Sequence, residues 1–211
     1  MTESNGQSDA VVPSMNPRFR FSVKRVAIAV LITLAGCAAV MPIDKWFYFQ
    51  WVHIDTGDTD WHRLLRILGY LPTWMLLALA FLLTDSARAG KIGWGLARSR
   101  AAMVLLSPII AAIIAEVMKL IVRRYRPNAV DGEYVFRAFS DGLLNNSGLG
   151  MPSSHSAIAF AGMGILCYLL PRASVLWLLL AAGCAITRCI NHAHFLSDVV
   201  VGAAIGLMTA R

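Results

Sequence analysis

The chain has 211 residues, enough for one domain, of which 57% are hydrophobic, and its mean hydropathy is +0.61. Only 15% are charged, clustered between long apolar runs, which excludes an ordinary soluble domain and implies an integral membrane protein. A net charge of +7 in a soluble protein would suggest nucleic acid; in a membrane chain flanking cations set topology and meet anionic headgroups, so no nucleic-acid partner is expected.

Residues 1–20 are polar and rich in Ser and Asn, and are expected to form a disordered cytoplasmic tail. Arg18, Arg20, Lys24 and Arg25 then precede an apolar run that looks at first like a signal peptide. The run is long for one and no soluble domain follows Ala38-Ala39-Val40, which favours a retained first helix. Six apolar segments can be read, at about 26–43, 64–83, 101–122, 153–170, 174–190 and 195–210. Each approaches the roughly 20 residues that cross a hydrocarbon core. The expected fold is therefore all-α, a bundle of six transmembrane helices within 21–211. Gly202 and Gly206, four apart, predict close packing of the last helix.

The loop 44–63 carries Trp46, Phe47, Tyr48, Phe49 and Trp51, read as an interfacial belt. Cys37, Cys167, Cys184 and Cys189 lack CxxC spacing and read as packing residues.

Orientation follows from the cations. Those before the first segment, then Arg88, Lys91, Arg98 and Arg100, then Arg172 and Arg211, all fall on one side, which the positive-inside rule makes cytoplasmic. Loop parity then brings three polar clusters to the opposite side. They are Lys119 to Arg126-Pro127, Pro152-Ser153-Ser154-His155, and Arg188 to His194 and Asp198. The intervening residues 128–151, with four glycines, fit either a mobile lid or a plain connector.

Each cluster has a chemical reading. Pro127 disfavours helical geometry at Arg126, so the third helix should end near Arg124 or Tyr125, leaving Lys119 and Arg126 to grip different phosphate oxygens. Arg123 and Arg124 are then expected to tolerate alanine better than Arg126 does. Ser153 or Ser154 can cap the fourth helix, whose N-terminus favours an anion beside His155. His194 and Asp198 share one helical face, so the carboxylate can fix the imidazole tautomer and leave the other nitrogen nucleophilic. A His–Asp pair can also be purely structural. A metal site from His155, His192, His194 and Asp198 is the sharper rival, disfavoured because three converging cations repel a divalent ion.

The motifs Lys-x6-Arg-Pro at 119–127, Pro-Ser-Ser-His at 152–155 and Thr-Arg-x5-His-x3-Asp at 187–198 together resemble the phosphatidic acid phosphatase type 2 and vanadium haloperoxidase superfamily, in its membrane lipid phosphatase branch. Ser154 stands where glycine is usual, and Thr187 where serine is. The resemblance implies that His194 attacks phosphorus, that Asp198 orients it, and that His155 moves the proton. It implies that Lys119, Arg126, Arg188, Ser153 and Ser154 bind the phosphoryl oxygens, with no metal or other cofactor required. The partners implied are the bilayer and a lipid phosphate: undecaprenyl diphosphate, phosphatidylglycerol phosphate, phosphatidic acid or a lipid A phosphate. The site would face the periplasmic side of an inner membrane. Transfer of the phosphoryl group to another lipid, or binding without turnover, stays open from sequence.

Overall fold

The computed structural model describes residues 23–51, 59–88 and 94–211. The expected N-terminal tail and several topology-setting cations, Arg18, Arg20 and Lys91 among them, lie outside the described residues. Within them the chain forms α1 (Val23–Trp51), α2 (Asp60–Ile67), α3 (Leu71–Arg88), α4 (Trp94–Val122), α5 (Ser154–Leu169), α6 (Ser174–Ile190) and α7 (Leu196–Thr209). Short 3-10 turns occupy Pro127–Ala129 and Pro171–Ala173. Ladder pairing among the described residues is confined to two isolated bridges, so the fold is all-helical.

Two elements differ from the sequence reading. The first helix runs on to Trp51, past Pro42, so the whole ring-rich stretch Trp46 to Trp51 is helix and not loop. Pro42 costs one backbone hydrogen bond, but Asp44 and Tyr48, one turn apart beyond it, are buried and hold the helix against its neighbours. Trp46 and Phe49 stay outward, as a belt would require.

The second predicted segment is broken, with α2 and α3 meeting at 65°. Gly69 permits the break and Pro72 suits the first turn of α3. The carbonyls freed there are taken up locally: Trp74 Nε1 donates to Leu68 O at 2.9 Å and Thr73 Oγ1 to Ile67 O at 2.7 Å. Trp74 is then buried in a notch at Gly162, where an added Cβ would lie 2.3 Å from its ring.

Three helical stretches are long and apolar enough to cross a membrane, Val23–Trp51, Arg98–Val122 and Pro171–Ile190, and the bent α2–α3 pair makes a fourth if counted as one span. Leu31, Ile32, Ile113, Ile121, Val175 and Leu179 point outward, a surface suited to lipid. Helices α5 and α7, at 16 and 14 residues, are shorter than a full crossing, so six full spans are not reached by length alone.

The two short helices form the interior and pack as the glycine spacing predicts. A Cβ at Gly202 would come 2.4 Å from Ser153 O, and one at Gly206 the same distance from Ala157 O. Backbone meets backbone at these points, so the N-terminus of α7 is fixed against that of α5. Gly202→Ala should therefore push α7 off α5 and lower stability by about 1–3 kcal/mol, the usual overpacking cost, measured as a fall in melting temperature in detergent.

Candidate active site

Four helix ends converge: the C-termini of α4 and α6 and the N-termini of α5 and α7. Helix α4 stops at Val122 because Arg123 takes a left-handed φ of 58°, earlier than the proline alone suggests. This conformation is costly for a residue with a side chain. Here it turns the Arg123 guanidinium inward, where it donates to the carbonyls of Ala138 and Asp141 at 2.8 Å and of Arg137 at 3.2 Å. Arg137 binds the loop from the other side, donating to Tyr125 Oη at 3.0 Å and Asn145 O at 2.7 Å. Residues 128–151 are therefore sewn together from within. Arg126 takes the extended backbone that Pro127 requires, and its N–H donates to Gly148 O at 3.0 Å.

Lys119, on the last turn of α4, is almost fully buried. Its ammonium pairs with Glu116 at 2.7 Å and donates to Ser154 Oγ, whose hydroxyl in turn donates to Glu116. Ser153 is the N-cap of α5: its side chain accepts from Ser156 N at 3.4 Å, and its own N–H donates to Asp198 O at 3.0 Å. The serine at 154 thus makes contacts that a glycine could not. Thr187 spends its hydroxyl proton within its own helix, donating to Cys184 O at 2.7 Å.

His155, in the first turn of α5, lies edge-on to Tyr70 at 4.8 Å and against Gly69, where an added Cβ would approach its own Cβ to 2.7 Å. The α2–α3 break thus forms one wall of the site. His155 lies within electrostatic range of Arg188, His194, Lys119 and Arg126, which places all five in one locus. The Nε2 of His155 and the Nε of Arg188 are buried and have no hydrogen-bond partner among the described residues, which suits a cradle for a small anion.

His194 sits between α6 and α7 and is 3% exposed. Its Nδ1 lies 3.6 Å from Asp198 Oδ2, just beyond hydrogen-bond length, which is common before a substrate tightens a site. Burial lowers the pKa of His194 below the ordinary imidazole value; the Asp198 carboxylate opposes this, and the Arg188 and Arg126 cations reinforce it. The ring is therefore neutral near pH 7, with Nδ1 turned towards the carboxylate. His192 stands apart from this pair, edge-on to Tyr48 at 5.5 Å.

Sequence reasoning missed what holds Asp198. The carboxylate is fully buried; Oδ2 accepts the Phe195 N–H at 2.8 Å and Oδ1 accepts from Arg124. Arg124 also donates to Ser197 Oγ at 2.6 Å and lies over the rings of Tyr134 and Phe195, 5.1 Å from each, the two rings meeting edge-on at 5.0 Å. Asp44 of α1 accepts the Ser197 N–H at 2.9 Å and the Tyr134 hydroxyl at 2.8 Å. The available signal was Asp44 itself, a carboxylate within an apolar helix. Arg123 and Arg124, expected from their spacing to tolerate alanine better than Arg126, are both buried and both donate to partners within the protein.

Residues 100–211, more than half of the chain, match the family model of the PAP2 superfamily. The chain belongs to the PAP2 superfamily. It is 27% identical over 151 residues to a lipid A 1-phosphatase of Rhizobium etli, a match covering 66% of this chain and 64% of that relative, so it spans somewhat less than two thirds of the relative's length. Its fold resembles the crystal structure of a transmembrane PAP2-type phosphatidylglycerolphosphate phosphatase from Bacillus subtilis, with a TM-score of 0.61 and 19% identity over 87% of this chain and 91% of that one.

The contrast between Arg123 and Arg126 yields a direct expectation. Arg123→Ala should speed proteolytic cleavage within residues 137–147, while kcat/KM falls less than in Arg126→Ala. Limited proteolysis beside steady-state kinetics checks both.

Proposed function

We propose that this PAP2 protein is a metal-independent membrane lipid phosphatase acting through a phosphohistidine. One observation carries the reading: two histidines with a buried carboxylate behind one of them meet Lys119, Arg126 and Arg188 at the converging ends of four helices. That arrangement supports both nucleophilic attack and charge stabilisation.

In the first step His194 Nε2 attacks phosphorus. The N–P bond forms and the P–O bond to the lipid breaks, while His155, which takes up a proton from solvent once the phosphate dianion is bound beside it, gives that proton to the departing oxygen. In the second step water loses a proton to His155, its oxygen bonds to phosphorus, the N–P bond breaks, and inorganic phosphate leaves. Lys119, Arg126 and Arg188, with Ser153, Ser154 and the first amides of α5, stabilise the equatorial oxygens throughout, the part that magnesium plays in other phosphoryl transfers. Lipid phosphates are the substrate class because the outward faces of the bundle suit hydrocarbon and both relatives are named for lipid phosphates. The candidates are a lipid A phosphate, phosphatidylglycerol phosphate, phosphatidic acid and undecaprenyl diphosphate.

In the same proposal α1, the α2–α3 pair and α4 to α7 make six passes of an inner membrane, with the N-terminus cytoplasmic and the site on the far side. A topology reporter fused near Gly148 should read extracytoplasmic; a cytoplasmic signal overturns that orientation.

Purified protein in detergent with EDTA should release phosphate from at least one of the four candidate lipids. His194→Ala should lower the rate by about 10³-fold or more, as loss of a nucleophile does. A wild type that is inert on all four, or that works only with added metal, defeats the reading. Trapping the phosphoenzyme and offering water against a second lipid phosphate separates hydrolase from transferase.

A further inference from the structure

We propose that Arg124 and Asp44 are positioning residues for the His194–Asp198 pair, an inference that rests on the phosphohistidine reading above. Neither is part of the phosphate cradle, and Asp44 lies on α1, outside the residues that match the family.

The geometry sets a chain of dependence. A nucleophilic imidazole needs a fixed acceptor at Nδ1, so that the proton stays there and Nε2 keeps its lone pair directed at phosphorus. Asp198 is that acceptor, and its carboxylate has two constraints. The Phe195 N–H holds Oδ2, the oxygen facing His194, and Arg124 holds Oδ1. Both side chains of the Arg124–Asp198 pair are buried, 2% and 0% exposed. Without the guanidinium, a fully buried carboxylate would lose its countercharge and would rotate, take up water or become protonated. Each of these changes the acceptor that His194 sees.

Arg124 reaches this position from behind. Its Nη2 is spent on Ser197 and Asp198, and its guanidinium packs over an edge-on pair of aromatic rings, so it acts through Asp198 and not by touching phosphate. Asp44 adds a second anchor one residue away. It takes both the N–H and the hydroxyl of Ser197, in the first turn of α7, and receives the Tyr134 hydroxyl. Burial and this bond to Asp44 raise the pKa of Tyr134, which keeps it a donor. The first helix thereby clamps the start of the helix that carries Asp198, and the loop residue Tyr134 locks the clamp.

The test separates positioning from phosphate binding with two anions, using the full chain in detergent. Inorganic phosphate reports the cradle alone. Orthovanadate becomes five-coordinate by bonding to the nucleophile and so also reports the aim of His194. Arg124→Ala should lower kcat about 10–100-fold, the usual cost of losing a group that orients a reacting one. KM should move less than about threefold, since ground-state binding is untouched. By calorimetry vanadate should bind more weakly by a factor similar to the kcat loss, with phosphate affinity retained. Arg126→Ala should weaken both anions. Arg124→Lys should recover part of the loss, and Asp44→Asn, which keeps one oxygen for the Ser197 N–H, should fall between.

Wild-type kcat and vanadate affinity in Arg124→Ala would overturn the proposal, as would a parallel loss of phosphate and vanadate. If the alanine variant does not fold, undiminished kcat in both Arg124→Lys and Asp44→Asn overturns it instead. A wild type that binds both anions yet releases phosphate from no lipid defeats the hydrolase reading, and the comparison of the two anions still decides this inference.

Discussion

The structure turns on one fully buried carboxylate. Asp198 lies in the interior of a chain otherwise committed to apolar burial, where an uncompensated charge costs several kcal/mol. The loop after α4 supplies the compensating cation, Arg124, and the preceding residue in α7, Ser197, is held by a second buried carboxylate from α1. Satisfying Asp198 therefore ties together α1, the loop and α7, three parts distant in sequence. The Ser153 N–H, donating to the backbone oxygen of Asp198, brings in the cap of α5 as well. Fold and site are the same set of hydrogen bonds at this end of the molecule.

Backbone proximity makes these bonds reachable. With Ser153 O and Ala157 O where the Cβ atoms of Gly202 and Gly206 would otherwise stand, α5 and α7 approach until the N-cap of one meets the first turn of the other. Two helix N-termini then point into the same small volume, bringing orphan amides and positive dipole ends together. Gly69 plays the matching part on the other wall, letting the α2–α3 break lie directly on His155.

The convergence of these polar groups was legible because charged residues at helix ends stand out in a membrane chain. Lys119, Arg126, His155, Arg188, His194 and Asp198 stand out in an apolar sequence, and the glycine pair announces its packing. What was not legible depends on tertiary partners. Asp44 read as the start of a loop because the apolar run ends at Ile43, yet burial of Asp44 and Tyr48 carries the helix onward. The break at 68–70 was marked by Gly69 and Pro72 but hidden under continuous hydrophobicity. Arg123 and Arg124 looked like ordinary juxtamembrane cations, since nothing local reveals that a left-handed turn drives one into the loop and the other behind Asp198.

The charge balance of the site explains how an anion can be drawn in and held without a resident cation. Near pH 7 with neutral histidines, Lys119 is offset by Glu116 and Arg124 by Asp198. Among the described residues no carboxylate pairs with Arg126 or Arg188. Two excess positive charges in a poorly hydrated recess repel each other, a cost that the surrounding fold must carry. The phosphate monoester dianion proposed as substrate would cancel both, so charge repulsion that burdens the free site would become attraction for that ligand. A divalent cation placed there would meet the same excess and be repelled. In the proposed reading, the preference for phosphate over metal follows from which two arginines the fold leaves without a carboxylate.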